Sequence, residues 1–454
     1  MRKNKETDML HGSLWDKILL FALPIAASSI LQQLFNSADV IVVGQFAGKE
    51  ALAAVGANGP VINLMVNLFV GLSVGANVII SRSIGQNDPD RTSRAVHTAL
   101  LIALISGLFL ALVGQLLAEP ILRLISTPDD ILELAALYLK IIFIGMPFMM
   151  IYNFASAILR SKGDTKRPLI VLAVSGVINV VLNLFFVCIC GMSVEGVALA
   201  TITSNAVSGF VLIRLLMKET GTVRFEPKKL GIDMPSLGAI ARIGIPAGLQ
   251  GMVFSISNVI IQSAINGLGE NAMAGSAVAL NLEYIVYFVI NAFGQANITF
   301  LGQNYGAGNL KRCRDTTRLS LAMCMAATLL MSLLMVAFRE PLSRIFNTDP
   351  AVIEFSCQRI KLVISLEVIN MFNELFSGAM RGYGYSLAPA LICAVGVCGV
   401  RAIWVYTVFA ANPTFPCLMR VFPISWSITA IGIMTAYFAV KRKARKHFDL
   451  TATA

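Results

Sequence analysis

An aspartate inside the first long apolar segment of the chain is the residue with the clearest chemical potential. Asp39 lies in the run Asn36–Val40, near the far end of an apolar segment that begins close to Lys17. An ionisable group within a membrane span is costly, and such groups are usually functional. A carboxylate there can bind a proton or a sodium ion, or pair with a cationic substrate. The alternative is an aspartate at a loop edge, in contact with water.

Two later apolar segments carry uncharged oxygen donors. Asn179 and Asn183 are four residues apart, so a helix places them on one face. The next segment contains Thr201 and several other hydroxyl and amide side chains. Amide and hydroxyl oxygens suit a hard cation, and they equally suit interhelical hydrogen bonds. The residue types leave both interpretations open.

Ionisable side chains are more numerous in the second half of the chain. Glu283, Glu367 and Glu374 lie in apolar segments, and the last two share a helix face because they are seven residues apart. Arg401 is the one cation that we assign to a span, and we expect Glu367 or Glu374 to pair with it. The remaining carboxylates predict a cavity that favours cations. The candidates for lining a substrate cavity are Asn36, Asn153, Asn258, Glu283, Asn370, Asn373 and Glu374.

Long apolar runs must position these residues. The chain has 454 residues, 56% hydrophobic and 13% charged, whereas a soluble domain carries about 25% charged residues. A membrane-spanning helix needs about 20 apolar residues, and backbone hydrogen bonding in lipid requires such runs to be helical. We predict an all-α membrane protein with twelve transmembrane helices, at 17–43, 53–80, 95–117, 131–158, 168–190, 194–217, 237–263, 273–301, 316–337, 352–379, 388–411 and 417–440.

Basic residues predict the orientation of these helices. Lysine and arginine are concentrated in alternate loops and at the beginning of the sequence, at Arg2, Lys3 and Lys5. This pattern predicts that both termini lie in the cytoplasm. The expected partner of this charge is the lipid bilayer rather than nucleic acid, because no basic stripe with interleaved aromatics occurs. The predicted segments are a cytoplasmic N-terminal segment 1–16, an N-lobe 17–217, a linker 218–236, a C-lobe 237–440 and a basic cytoplasmic tail 441–454.

The two halves of the chain repeat one another. Glu119-Pro120 recurs as Glu340-Pro341, 221 positions later, and other matched positions share this offset. Six helices per repeat return the chain to the same side, which gives two parallel, pseudo-symmetric six-helix bundles suited to alternating access. Pro24 and Pro246 occupy matching places in the two halves and are hinge candidates, since helix-breaking prolines mark kinks.

The absence of several sequence motifs reduces the number of possible functions. The sequence has no GxxxxGK[ST] segment, so transport would be driven by an ion gradient or be passive. A membrane enzyme would need a polar catalytic cluster, but the three histidines are scattered, and we predict no enzymatic activity. Eight cysteines without a CxxC pair argue against a zinc site, so we expect no cofactor and no metal beyond a coupling Na⁺. A channel and a flippase for lipid-linked precursors remain as alternatives.

Several motifs in order resemble a known family. They are Leu-Phe-Asn-Ser-Ala before Asp39, Gly-Gln-Asn after the second and eighth helices, the run Leu-Arg-Ser-Lys-Gly-Asp-Thr-Lys-Arg-Pro at 159–168 and Gly-Val-Ala-Leu-Ala-Thr at 196–201. Over residues 15–440 the chain looks like the multidrug and toxic compound extrusion (MATE) family. The resemblance implies a monomer that exports cationic, amphipathic compounds by antiport with H⁺ or Na⁺. The short loops suit a bacterial inner membrane.

The resemblance also implies a coupling-ion site, formed by Asp39, Asn179, Asn183 and Thr201. Many members have an aspartate where Asn183 stands, so Asp39 is the single titratable group of this site and tight sodium binding is less favoured. Some members also carry an acidic residue in the middle of helix 7, near Asn258 here, or an aspartate at the position that matches Asn370. We expect Glu283, Glu367 and Glu374 to take over part of that role.

Overall fold

Residues 6–125 and 127–452 are described by a computed structural model, and this part of the chain contains helices and no strand. Arg2, Lys3 and Lys5 lie outside the described residues. Uninterrupted apolar runs form long helices because the helix satisfies every backbone N–H and C=O internally. The first seven helices are α1 (Trp15–Val42), α2 (Lys49–Gly85), α3 (Pro89–Leu124), α4 (Asp129–Ile144), α5 (Met146–Ser161), α6 (Lys166–Leu184) and α7 (Val194–Met217).

The second half contains shorter helices as well as long ones. They are α8 (Met234–Asn266), α9 (Glu270–Gly306), α10 (Leu310–Ala337), α11 (Arg339–Phe346), α12 (Pro350–Leu362), α13 (Glu367–Gly382), α14 (Leu387–Cys393), α15 (Val400–Trp404), α16 (Phe415–Met419) and α17 (Val421–Ala452). Wider π-helical turns follow α1 at Val43–Ala47, α6 at Phe185–Ile189, α14 at Ala394–Gly399 and α15 at Val405–Phe409.

Ten of the described helical segments are long and apolar enough to cross a membrane, and an eleventh is added if α4 and α5 form one span bent by 47°. Gly145 separates α4 from α5, and Pro147 lies in the first turn of α5, so the bend has a recognised cause. The predicted span 352–379 is divided between α12 and α13 by a 3-10 turn at Ile364–Leu366. The protein is therefore a multi-pass helical membrane protein, while the count of twelve spans and the cytoplasmic termini stay predictions.

The chain divides into two compact units. Of the described residues, the first unit contains Glu6–Asp8 and those of Ala27–Gly248, and the second contains Met9–Ala26 and those from Leu249 to Ala452. The division falls inside α1 and inside α8, two residues after Pro24 and two after Pro246. The predicted N-lobe 17–217 includes residues 17–26, which belong to the second unit, and the predicted C-lobe 237–440 includes residues 237–248, which belong to the first. The role of the two prolines as hinges stays a prediction.

In the first unit, glycines bring the start of α8 against α2. A Cβ on Gly71 would lie 2.2 Å from the backbone nitrogen of Gly248, and one on Gly75 would lie 2.4 Å from the carbonyl oxygen of Ile240. Small residues allow such close packing of membrane helices. Side chains larger than hydrogen at these positions would force the two backbones apart.

The predicted linker 218–236 is bound to the first unit near its start and in its middle. The Glu219 carboxylate accepts a hydrogen bond from Lys162 at 2.5 Å and another from Arg167. Burial opposes the charge on Glu219, but these two hydrogen-bonded cations outweigh it and hold the pKa of that carboxyl below its usual range. The buried ring of His97 lies within 3.1 Å of the backbone N–H and C=O of Glu226. The linker therefore moves with this unit and is not a free tether.

The segment that precedes α1 is bound to the second unit in a similar way. The Arg312 guanidinium donates to the backbone carbonyls of Met9 at 3.0 Å, His11 at 3.0 Å and Gly12 at 2.9 Å. The side chain of Asn304 donates to the Met9 carbonyl at 3.1 Å, and the Met9 side chain joins the apolar core of this unit. These contacts fix the beginning of α1 before it enters the core.

Candidate functional site

Asp39 is positioned by the packing of α1 against α6 within the first unit. A Cβ on Gly176 would lie 1.8 Å from the ring of Phe35, so only glycine permits α6 to approach α1 this closely. Asp39 follows Phe35 by one helical turn, and Asn179 follows Gly176 by three residues, which brings the two polar side chains to the same level. Both helices continue into π-helical turns soon afterwards, a feature often found near functional sites.

The four residues assigned to the coupling-ion site are brought together by the structure. Asn183 donates its side-chain NH₂ to one oxygen of Asp39, and the Thr201 hydroxyl lies 3.4 Å from the other. The Asn179 amide donates to Thr201 Oγ1 at 3.4 Å and accepts from Asn183 at 3.4 Å. The result is a closed ring of polar contacts contributed by α1, α6 and α7.

The site combines one charge with a buried, neutral surround. Asn183 is fully buried and Asn179 is 5% exposed, while Asp39 is partly buried. The amide oxygen Oδ1 of Asn183 has no hydrogen-bond partner among the described residues. A carboxylate, a hydroxyl and two amides are the hard oxygen donors that suit Na⁺ or a proton. Because Asn183 turns its NH₂ toward Asp39, binding of Na⁺ between them would require that amide to rotate.

The second unit contains a different polar network, built around a buried ion pair. Arg359 Nε and Nη2 lie 3.1 and 2.9 Å from Glu283 Oε2, and Arg359 Nη1 donates to the Ser276 hydroxyl at 2.6 Å. Arg359 is 3% exposed and Glu283 is 9% exposed. Arg359 also lies over the ring of Phe422, with 5.2 Å between the guanidinium carbon and the ring centroid. These contacts hold α9, α12 and α17 together.

The expected pairing of Arg401 with a glutamate is wrong. Arg401 donates to the hydroxyls of Ser257 and Ser425 and to the amide oxygen of Asn258, at 3.2–3.3 Å, and stacks on the Phe422 ring at 4.4 Å. In the described part of the chain no carboxylate lies within 4.0 Å of it. A guanidinium can be satisfied by neutral oxygen atoms and an aromatic face, and here they replace the carboxylate.

The two remaining glutamates have other partners. Glu374 lies 3.9 Å from Arg381, which also donates to the Gln250 side chain at 2.7 Å. Glu367 accepts a hydrogen bond from Asn370 at 2.9 Å, and its second oxygen has no partner among the described residues. Arg359, Arg381 and Arg401 are all buried. Three arginines therefore balance the three glutamates, and the expected excess of carboxylate in this half is wrong.

The other candidates for a substrate cavity are placed as follows. Asn36 is exposed on α1, Asn153 donates to the Met149 carbonyl on its own helix at 2.9 Å, and Asn373 donates to the Trp426 carbonyl at 3.2 Å. The Asn373 contact joins α13 to α17 and is typical of helix packing, whereas the Asn153 contact stays within α5. None of these contacts decides whether the residues meet a substrate.

Sequence reasoning missed Arg359, Arg381 and Gln250. Arg359 lies inside the predicted span 352–379, and Arg381 directly follows it. The signal that could have found Arg359 is an arginine within an apolar run that also contains Glu367 and Glu374, because buried charges in membranes are normally paired. Gln250 carries no such signal, since a single amide is common in membrane helices.

The family model MatE matches the chain twice, at residues 24–185 and 246–407. The Probable multidrug resistance protein YoeA of Bacillus subtilis is 28% identical to the chain over 398 residues, which cover 86% of each protein. A FAD transporter of Shewanella oneidensis is 27% identical over 332 residues, 71% of this chain and 72% of its own length. A solved structure described as the outward-facing conformation of a multidrug resistance MATE family transporter of the MOP superfamily has a TM-score of 0.90 at 22% identity, covering 98% of this chain and 100% of its own.

Proposed function

The chain belongs to the MATE family of multi-pass membrane transporters, and we propose that it exports amphipathic organic cations in exchange for H⁺ or Na⁺ by alternating access. The membrane we propose is a bacterial inner membrane. Two of the relatives are named as probable multidrug resistance proteins. Coupling to an ion and movement between inward- and outward-open states are our extension to this chain.

The arrangement around Asp39 carries this proposal. A partly buried carboxylate, in contact with Asn183 and Thr201, has no arginine or lysine within salt-bridge distance in the described residues, and the amide oxygen of Asn183 beside it accepts no hydrogen bond there. A group that must bind and release an ion in every cycle needs an incomplete hydrogen-bond set of this kind. A permanent salt bridge would instead hold the carboxylate in one charge state.

Transport in liposomes tests the proposal. We would reconstitute the protein, impose a proton gradient or a sodium gradient, and follow a fluorescent lipophilic cation. We expect one gradient to drive movement of the cation and Asp39→Asn to abolish that driven movement. Asp90→Asn removes an exposed carboxylate from the first turn of α3 and serves as the matched control.

A second function is favoured by the three buried arginines of the second unit. A flippase for anionic lipid-linked precursors requires cationic groups in its interior, and of these three buried arginines Arg401 has no carboxylate within 4.0 Å in the described part of the chain. The Shewanella oneidensis relative is described as a transporter of FAD. The earlier preference for cations depended on Arg401 being the one arginine within a span, and that count was wrong.

The two functions differ in the charge of the substrate that moves. Driven uptake of a lipophilic cation, lost in Asp39→Asn, supports the cation exporter. No movement of the cation under either gradient, together with movement of an anionic nucleotide or a labelled lipid-linked sugar, would favour the second function.

A further inference from the structure

Basic side chains from two helices of the second unit converge near the start of α10. Cys313 on α10 packs in one apolar cluster with Tyr437, Val440 and Ala444 on α17. Thr317, one turn after Cys313, is buried on the same face of α10, and its hydroxyl donates to the Cys313 carbonyl at 3.2 Å. The first turns of α10 and the last part of α17 therefore lie side by side.

Three cations surround this contact. Arg314 and Arg318 are four residues apart on one face of α10, on either side of Thr317 along the helix, and Lys441 follows Tyr437 by one turn of α17. Arg314 directly follows Cys313 and Lys441 directly follows Val440, two residues that pack in the same apolar cluster, so these cations flank the contact between the helices. Arg314, Arg318 and Lys441 are here called the basic cluster.

The basic cluster has more positive than negative charge around it. In the described part of the chain its one ion pair joins Arg314 to Asp315, 3.4 Å apart, and these side chains are 42% and 40% exposed. From Val421 to Lys446 the sequence of α17 contains no aspartate or glutamate. Like charges held together in this way repel one another, and an anion placed among them removes that repulsion.

The position of the basic cluster indicates what the anion is. It lies at the ends of two apolar segments that can cross a membrane, Leu310–Ala337 and Phe415–Lys446. Phe438, three residues before Lys441, leaves 51% of its surface exposed and can contact an acyl chain. Lysine and arginine at the edge of a span attract anionic lipid headgroups, and arginine forms paired hydrogen bonds with phosphate. We propose that Arg314, Arg318 and Lys441 form a binding site for the phosphate of an anionic phospholipid.

Neighbouring basic residues provide a control for unspecific charge. Lys443 lies over the ring of Tyr385, 5.6 Å from its centroid, and is engaged outside the cluster. Arg442, Arg445 and Lys446 are exposed on the same end of α17. Replacing these three by glutamine removes as much charge as replacing the basic cluster does, and it leaves the site intact.

The experiment is thermal unfolding of the purified full-length protein in detergent, with increasing phosphatidylglycerol. The variants are Arg314→Gln/Arg318→Gln/Lys441→Gln and the control Arg442→Gln/Arg445→Gln/Lys446→Gln. We expect phosphatidylglycerol to raise the unfolding midpoint of the wild type and of the control. In the cluster variant the lipid concentration for half of the effect should increase, by about fivefold for each cation removed.

Phosphatidylcholine and inorganic phosphate are the comparison ligands, and we expect neither to produce the shift. An equal response of the cluster variant and the control to phosphatidylglycerol would overturn the proposal, since only the total charge would then matter. A shift of the same size with inorganic phosphate would overturn the lipid assignment. If the triple variant does not fold, Lys441→Gln alone, compared with Lys446→Gln, gives the same test. No step of this experiment requires transport activity.

Discussion

Replacing Arg359 by methionine should destabilise the protein strongly, because it leaves Glu283 buried without its partner. Arg359 donates two hydrogen bonds to Glu283 Oε2 and one to Ser276, and Arg359 is 3% exposed. Methionine has a similar length and fills most of the space, so the main effect is the unpaired charge rather than a cavity. Removing one member of a buried ion pair costs about 3–5 kcal/mol.

The double variant Glu283→Gln/Arg359→Met separates this effect from loss of packing. With both charges absent, no uncompensated charge remains buried, and replacement of a whole buried pair by neutral groups is often close to neutral. We expect the double variant to be more stable than Arg359→Met alone. The difference should approach the 3–5 kcal/mol figure, or roughly 10²- to 10⁴-fold in the ratio of folded to unfolded protein.

The measurement is unfolding in detergent, by heat or by denaturant, of the wild type, Arg359→Met, Glu283→Gln and the double variant. The same four proteins would be assayed for transport, because Glu283 is also a candidate for contact with substrate. If Arg359→Met and the double variant are equally unstable, the two side chains are not coupled and the ion-pair reasoning fails. If the double variant is stable but does not bind substrate, Glu283 acts in the transport cavity as well.

Three further predictions concern packing, pH and the attachment of the chain start. Gly176→Ala should destabilise the first unit by about 1–3 kcal/mol, since the added methyl overlaps an aromatic ring of α1. The control Gly56→Ala, with open space around the site, should change stability by less than about 1 kcal/mol. The unfolding midpoints of the two variants provide the comparison. Because the pKa of Glu219 is lowered in the folded protein, the ionised carboxylate stabilises the fold fully above the ordinary pKa of a glutamate. This stabilisation is lost as the pH falls from that value through the lowered pKa of the folded state. The stability difference between wild type and Glu219→Gln should therefore shrink in acid titrations, and a constant difference would contradict this. Arg312→Gln removes three hydrogen bonds to the chain start, so hydrogen exchange should become faster in the segment Met9–Gly12, and unchanged exchange would show that Arg312 does not hold it.

The candidate site of the first unit was predictable because its signals are local. Asn179 and Asn183 share a face by helical spacing alone, and an aspartate inside an apolar run is conspicuous. The resemblance to a family then grouped them with Asp39 and Thr201, and the structure brings all four together. Two features depend on packing and do not follow from residue spacing. They are the orientation of the Asn183 amide and the wider π-helical turns after α1 and α6.

The second unit was harder to predict because its partners are distant in the sequence. Arg359 meets Glu283 across 76 residues, and Arg401 meets Ser257 across 144. A hydropathy window reports that 352–379 is mostly apolar, but not which of its residues turn inward or that the helix breaks after Leu362. Counting arginines within spans therefore gave the wrong charge balance for this half of the chain, while the charge of the substrate stays a prediction.

The proposed role of Asp39 is to couple ion movement to substrate movement. Liposomes loaded with a substrate that the wild type transports would be diluted into substrate-free buffer without an imposed ion gradient. Internal pH and internal sodium would then be followed during efflux with indicator dyes. We expect one of these ions to enter as substrate leaves, and Asp39→Asn to abolish this entry even where substrate exchange persists. If the ion entry per substrate molecule is unchanged in Asp39→Asn, Asp39 is not the coupling residue and the coupling site lies elsewhere in the protein.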